Sequence, residues 1–363
     1  MRVLAAMSGG VDSAVAAALA TEQGHEVVGV HMALLRNRQL FREGSRGCCS
    51  LEDANDARRA ADTIGIPFYV WDLSENFQET VVDDFLAEYA RGRTPNPCVR
   101  CNEHVKFTTL TARAEALGFD AVVTGHYARI VASSQGPELH RAANHDKDQS
   151  YVLAVMGPQQ LSRVVLPLGE YSTKAQVRAE ADRRGLGVSH KPDSYDICFI
   201  PDGNTAGFLR ERLGDQPGLI VDPEGTPLGG HSGAYQFTVG QRKGLNLHRP
   251  APDGRPRYVL DVDTTTRTVV AGPEELLTVD HMTLTDMVTY GDIPYDAALT
   301  VQVRAHGAPV PATITPQDPS KLRVTLTQGT LRGVAAGQSA VVYHGTRVMA
   351  QGTIAHAARV PGN

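Results

Sequence analysis

No run of eighteen or more apolar residues occurs in this sequence, so no membrane-spanning helix is implied. Cysteine is scarce, at five in 363 residues, and the count is odd, with two close pairs and one single. A secreted disulfide framework is therefore not expected; reduced, reactive or metal-binding thiols in a cytoplasm fit better. The apolar stretch at residues 2–7 is too short for a signal peptide and runs straight into a glycine loop, so it reads as a first buried strand. Fixed-period repeats and low-complexity tracts are also missing. Acids are nearly absent from residues 301–363, where six Lys or Arg face Asp318 alone, a balance of +5 within a chain of net charge -5. A basic module on an acidic body has the charge to touch phosphates, or is simply poor in acids.

What is present is enough for two or three domains, since 42% of the 363 residues are hydrophobic. The first 130 residues alternate between short apolar runs and helical stretches. Strands are expected at residues 2–7, 26–32, 67–72 and 121–124, and helices at 11–23, 51–64, 77–91 and 105–117. Ser50 with Asp53 is a capping signature for the second helix. This alternation predicts an α/β domain, a parallel sheet covered by helices on both faces, with ligands at the carboxyl ends of the strands. The loops after Met7, Met32 and Thr124 then share one rim. From about residue 205 helical periodicity disappears and short β-branched segments are separated by turn residues. A small central β-rich domain over 205–275 and a C-terminal β-barrel over 276–363 are expected after a catalytic domain of 1–204.

The loop Ser8-Gly9-Gly10-Val11-Asp12-Ser13 follows a strand and opens a helix. Glycines let backbone N–H groups approach an anion, and the helix N-terminus favours it electrostatically. Ser8 and Ser13 add hydroxyls, and Asp12 would repel phosphate unless a bridging Mg²⁺ sits between them. The loop lacks a Gly-Lys-Ser/Thr ending, which excludes the kinase-type phosphate loop. It resembles the pyrophosphate loop of the ATP-pyrophosphatase (PP-loop) superfamily, whose members activate a carbonyl oxygen by adenylation. That superfamily includes argininosuccinate synthase, GMP and NAD synthetases, tRNA lysidine synthase and tRNA thiolases.

Two cysteine motifs narrow the choice: residues 93–107 (RTPNPCVRCNEHVKF), with Cys98 and Cys101, and residues 193–200 (DSYDICFI), with Cys198. With residues 124–128 (TGHYA) and 147–151 (KDQSY), they resemble the tRNA-specific 2-thiouridylases (the MnmA/TrmU family) along essentially the whole chain. The C2 oxygen of uridine is a poor leaving group, adenylation makes it a good one, and a cysteine persulfide supplies sulfur as the nucleophile. The resemblance implies thiolation of wobble uridine 34 in the Lys, Glu and Gln tRNAs, with ATP and Mg²⁺, in a cytoplasmic enzyme fed by a cysteine desulfurase or sulfur-relay protein.

By resemblance Cys198 carries the persulfide and Cys101 is its paired nucleophile, the two forming a transient disulfide. Arg100 and Lys106 would favour the Cys101 thiolate. The resemblance assigns ATP contacts to Ala6, Met7, Ser8, Gly9, Gly10, Val11, Asp12 and Ser13, with Met32 and Gly125. It assigns tRNA contacts to Asn96, Pro97 and Cys98, to Lys147, Asp148 and Gln149, and to Arg304 and Ala305, and tuning of the tRNA interaction to His126 and Gln338. At Ala305 the family commonly has an aromatic residue, and at Cys98 an aspartate, so stacking at the first is lost and the role of the second is open between spare thiol, ligand and packing residue. Cys48 and Cys49 read as local structure before a helix, with a thiol relay as the other reading. Another PP-loop ligase would need an amine nucleophile and no cysteine pair. Cys98, Cys101 and Cys198 could also hold an iron–sulfur cluster, or zinc with a histidine.

Overall fold

The computed structural model describes residues 1–35, 51–192, 197–247, 251 and 253–359. Cys48, Cys49, Ser50 of the capping signature and residues 193–196 of the second cysteine motif lie outside the described residues.

The N-terminal part is a five-stranded parallel sheet with helices on both faces. Its first four strands are β1 (Arg2–Ala6), β2 (Glu26–Ala33), β3 (Phe68–Asp72) and β4 (Ala121–Val123). The chain then leaves the sheet for an antiparallel hairpin, β5 (Ala128–Ser133) and β6 (Gly136–Arg141), before returning as β7 (Val164–Val165). Spatial order is β3–β2–β1–β4–β7, all parallel, with Val3 beside Val27 and Ala121. The β1 side chains alternate as a strand buried on both faces must. Val3, Ala5 and Met7 pack with the helices α1 (Val11–Glu22) and α2 (Leu51–Ile64), whereas Leu4 and Ala6 pack with Phe85, Cys101 and Val105 on the opposite face. Eight residues of α1 are buried, five of them alanine, because small side chains let this helix sit close between the sheet and the helix Lys174–Arg183, whose Val177 and Ala181 join the same core.

The stretch expected as a helix over 77–91 is α-helical at Ser74–Phe77, widens to a π-helix at Gln78–Val82 and returns to α at Asp83–Ala90. The stretch expected over 105–117 begins earlier, as the short helix Pro97–Arg100 and the π-helix Cys101–Thr109, and ends as Leu110–Ala116. The hydroxyls of Thr108 and Thr109 donate to the carbonyls five residues back, Glu103 at 2.6 Å and His104 at 2.9 Å, which supports the wide turn.

The expectation of an all-β chain beyond residue 205 needs correction, because Thr205–Leu213 is a helix capped by Asn204, whose side chain accepts the Gly207 N–H. A four-stranded sheet follows, running Tyr258–Asp263, Thr268–Gly272, Gly218–Val221, Pro227–His231 across its width. The C-terminal part is a closed six-stranded barrel. His281–Thr289 pairs with Lys321–Leu326 on one side and Arg347–Ala358 on the other, and Val310–Asp318, Leu299–Gln302 and Ser339–His344 complete the ring. Closure leaves the barrel no free edge except where Arg347 meets His140 of β6, so the β5–β6 hairpin of the N-terminal part extends the barrel sheet.

Candidate functional site

The glycine loop sits where the sequence pattern places a ligand, at the carboxyl end of β1. Gly9 takes φ +82, and a Cβ there would lie 2.2 Å from the Asp53 carbonyl oxygen, so the loop closes against α2 only with glycine. Gly125, after β4, is equally constrained: a Cβ would lie 2.6 Å from the backbone of Asp12 and Ser13. The two crossover loops thus meet at the first turn of α1. Gly10 caps α1 without any side-chain hydrogen bond to the first-turn N–H groups.

The two loop serines differ. The Ser13 hydroxyl accepts the Ser8 N–H at 3.1 Å and donates to the Gly10 carbonyl at 3.0 Å, so it braces the loop instead of facing a ligand, while the Ser8 side chain is exposed. Asp12 is also engaged. Its Oδ1 accepts from the Tyr127 hydroxyl at 2.6 Å and its Oδ2 from Lys174 Nζ at 2.6 Å. Lys174 and Tyr127 carry no sequence signal for this role, because they lie 162 and 115 residues from Asp12. Asp12 is the residue that would take the expected Mg²⁺; in this structure its two carboxylate oxygens accept from the Tyr127 hydroxyl and the Lys174 ammonium. Lys174 supplies positive charge in that place.

Met32, the last residue but one of β2, is a buried member of the core that contains Ala6 and Cys101. Cys101 is buried in that cluster, and half-buried Cys198 packs against it. The anchor of Cys198 is its neighbour Phe199, held edge-on by Phe85 at 5.2 Å and Phe77 at 5.9 Å between ring centroids. The two cysteines, 97 positions apart, therefore share the sheet face opposite α1. The expected help of Arg100 to the Cys101 thiolate is weakened, because its guanidinium lies 2.9 Å from Glu103 and 3.4 Å from Asp84. Cys98 is exposed on the short helix Pro97–Arg100. Asn96 caps that helix, its side-chain oxygen accepting the N–H of Cys98 at 3.1 Å and of Val99 at 3.3 Å, and Pro97 takes the first helical position. The metal-centre reading of Cys98, Cys101 and Cys198 gains no support, since these thiols form no metal-holding group among the described residues.

The barrel docks beside this loop. Gln338 Nε2 donates to the Thr94 carbonyl at 2.9 Å, and the Thr94 N–H donates to Ala336 O at 2.8 Å, so Gln338 tethers the strand of chain leading to Asn96. His126 hydrogen-bonds Thr124 Oγ1 through Nδ1 at 2.9 Å and packs on Phe107. Burial, with Lys106 nearby, pushes its imidazole well below the ordinary histidine range, so it is neutral at pH 7.

The turn at Lys147–Gln149 is held from inside. Asp148 accepts from Arg141 at 3.1 Å, from Ala142 N at 2.9 Å and from the Ser150 hydroxyl at 2.8 Å, and Gln149 Oε1 accepts the Tyr127 N–H at 2.9 Å. The side chain of Asp148 is therefore a brace of this turn. Arg304 is exposed, with its guanidinium donating to the carbonyls of Arg332 and Gly333 at 2.7 and 2.9 Å, and Ala305 packs against the core shared by β5, β6 and the barrel.

Comparison with known proteins agrees with this layout. Residues 1–202 match the tRNA methyl transferase HUP domain, 206–273 the tRNA methyl transferase PRC-barrel domain and 279–354 the aminomethyltransferase beta-barrel domain. The tRNA-specific 2-thiouridylase MnmA of Beutenbergia cavernae is 64% identical over 99% of this chain and 96% of its own length. The proteins of that name from Acidothermus cellulolyticus and Kineococcus radiotolerans are each 61% identical, over 99% and 98% of this chain and the same shares of their own lengths. With a five-stranded HUP sheet, a glycine loop at its rim and this identity over nearly the whole length, the chain belongs to the tRNA-specific 2-thiouridylase family.

Proposed function

We infer that this protein is an ATP-dependent tRNA-uridine 2-sulfurtransferase acting on wobble uridine 34. The observation that supports the reading is that Cys101 belongs to, and Cys198 packs against, the apolar cluster that also holds Ala6 and Met32, on the sheet face opposite α1. In this reading the loop N–H groups and Lys174 hold the ATP phosphates, and the uridine O2 attacks the α-phosphorus, releasing pyrophosphate. Cys198 carries a persulfide. Its terminal sulfur bonds to C2, and AMP leaves with the former O2. The Cys101 thiolate attacks Cys198 Sγ; the sulfur–sulfur bond breaks, its electron pair goes to the new thiocarbonyl, and a Cys101–Cys198 disulfide remains for a thiol reductant to reopen. The half-buried setting of Cys198 limits loss of the persulfide to water.

Magnesium in this reading travels on the nucleotide phosphates and shields their charge, with Asp12 acting as the counter-ion of Lys174. Lys147 and Arg304 contact tRNA phosphates, and Asn96, Pro97 and Cys98 border the target base. The substrates are the Lys, Glu and Gln tRNAs, and the sulfur comes from a cysteine desulfurase or relay protein, in the cytoplasm where tRNA is modified. No helix among the described residues is long and apolar enough to cross a membrane.

ATP labelled at the α-phosphate separates this reading from other phosphate-loop chemistry. With tRNA and no sulfur donor, the label is expected on tRNA with matching release of pyrophosphate. Production of ADP and inorganic phosphate instead would overturn it.

A further inference from the structure

Lys191 lies outside every motif so far assigned a role, yet its ammonium has three acceptors. Nζ is 3.1 Å from the Gly9 carbonyl oxygen, 2.7 Å from Asp53 Oδ1 and 2.5 Å from Asp56 Oδ2. The first belongs to the glycine loop and the other two to the first turns of α2. Burial alone would lower the Lys191 ammonium, but the two carboxylates hold it above the ordinary lysine range, so it is a fixed cation. Its backbone is held as well: the Arg178 guanidinium donates to Lys191 O at 3.0 Å and to Ser189 O. Arg178 stands on the helix Lys174–Arg183, whose first residue contacts Asp12. A continuous path of hydrogen bonds thus runs from Asp12 through this helix to Lys191 and back to Gly9.

A peptide whose carbonyl points toward bound phosphates repels them, and one whose N–H points there attracts them. Pulling the Gly9 carbonyl toward a half-buried, carboxylate-paired cation fixes that peptide plane. We propose that Lys191 is a positioning residue that sets the glycine loop for the nucleotide by fixing the Gly9 peptide against α2. The proposal rests on the adenylation reading above.

The test compares wild type, Lys191→Arg, Lys191→Met and the double variant Lys191→Met/Asp53→Asn, all as the full chain. The double variant removes the excess buried negative charge that Lys191→Met leaves behind, which guards against loss of fold. Two quantities are read in tRNA-dependent pyrophosphate release: KM for ATP and kcat. Lys191→Met and the double variant are expected to raise KM about tenfold or more with a smaller change in kcat, and Lys191→Arg is expected to recover part of the loss. A KM within about twofold of wild type in the double variant, or a loss confined to kcat, overturns the proposal. A wild-type protein that releases no pyrophosphate overturns the adenylation reading itself.

Discussion

Lys174 Nζ lies 2.6 Å from Asp12 Oδ2, at the first turn of the helix that the glycine loop opens. In the proposed reading the pair places a cation beside the nucleotide phosphates, with Asp12 as its counter-ion. The ammonium is largely withdrawn from solvent while Asp12 is about a third exposed, with side-chain accessibilities of 15% and 31%, so the pair can reorganise when an anion enters.

Lys174→Met is therefore expected to slow tRNA-dependent pyrophosphate release by about a hundredfold or more, the size of effect seen when one preorganised charge donor is removed. Asp12→Ala is expected to abolish release while the fold persists, because Lys174 and Tyr127 lose their common partner. A pyrophosphate assay with circular dichroism on the same samples checks both. Wild-type release in Asp12→Ala would show that the pair is not part of the reaction.

The three cysteines are expected to separate cleanly. Cys101→Ser and Cys198→Ser should each make no thiolated tRNA, with ATP and sulfur donor in excess. Cys198→Ser should still release pyrophosphate, since adenylation precedes sulfur transfer. Exposed Cys98, which lies on a helix already capped by Asn96, should tolerate both serine and aspartate. Thiolation assays on the single variants decide this, and an inactive Cys98→Asp or an active Cys198→Ser would reassign the sulfur chemistry.

The basic C-terminal region offers fewer cations to tRNA than its composition suggests. Lys321 pairs with Asp318, Arg332 with Glu274, and Arg347 with Glu138 across the junction of barrel and hairpin. Arg304→Ala should thus make the slope of log affinity against log salt shallower by about one, as loss of a single phosphate contact does. Arg347→Ala should leave the slope unchanged and lower stability instead. Equilibrium binding at a series of salt concentrations, beside urea unfolding, distinguishes the two.

Much of the N-terminal part was legible because its cause is local. Alternating apolar runs and helical stretches give β1 to β4 and α1 and α2 within a residue or two, and the loop at Ser8–Gly10 needs glycine for backbone reasons visible in sequence. The parts that were not legible depend on partners far along the chain. The hairpin β5–β6 is short and reads as connection until it meets Arg347 in the barrel. The helix Thr205–Leu213 contains Gly207 and only one fully buried side chain, Leu209, so it lacks the stripe that marks a helix. The π-turns at Gln78–Val82 and Cys101–Thr109 lie inside stretches that read as single helices, and no residue type marks the change of hydrogen-bond register. Lys174 and Lys191 look like solvated lysines because their carboxylate partners lie 162 and 138 residues away.

The junction itself yields a stability expectation. Arg141 is buried, its guanidinium 3.1 Å from Asp148, 2.6 Å from Gln302 of the barrel and 3.8 Å from the centre of the Tyr343 ring. Arg141→Met leaves Asp148 buried without its countercharge, which should cost about 3–5 kcal/mol. The Lys147–Gln149 turn should loosen with it, so tRNA affinity falls although no phosphate contact is removed. Urea denaturation gives the first quantity and filter binding the second; unchanged stability would show that the network is replaceable by water.

In the proposed reaction this chain exchanges the C2 oxygen of uridine 34 for sulfur at the expense of ATP. The most direct measurement is nucleoside mass spectrometry, with fragment mapping, of an unmodified glutamate-, lysine- or glutamine-specific tRNA after incubation with the purified protein, ATP and a persulfide donor. The expected result is 2-thiouridine at position 34, absent when ATP is omitted and absent with Cys198→Ser. Sulfur at another position, or at position 34 without ATP, would contradict it.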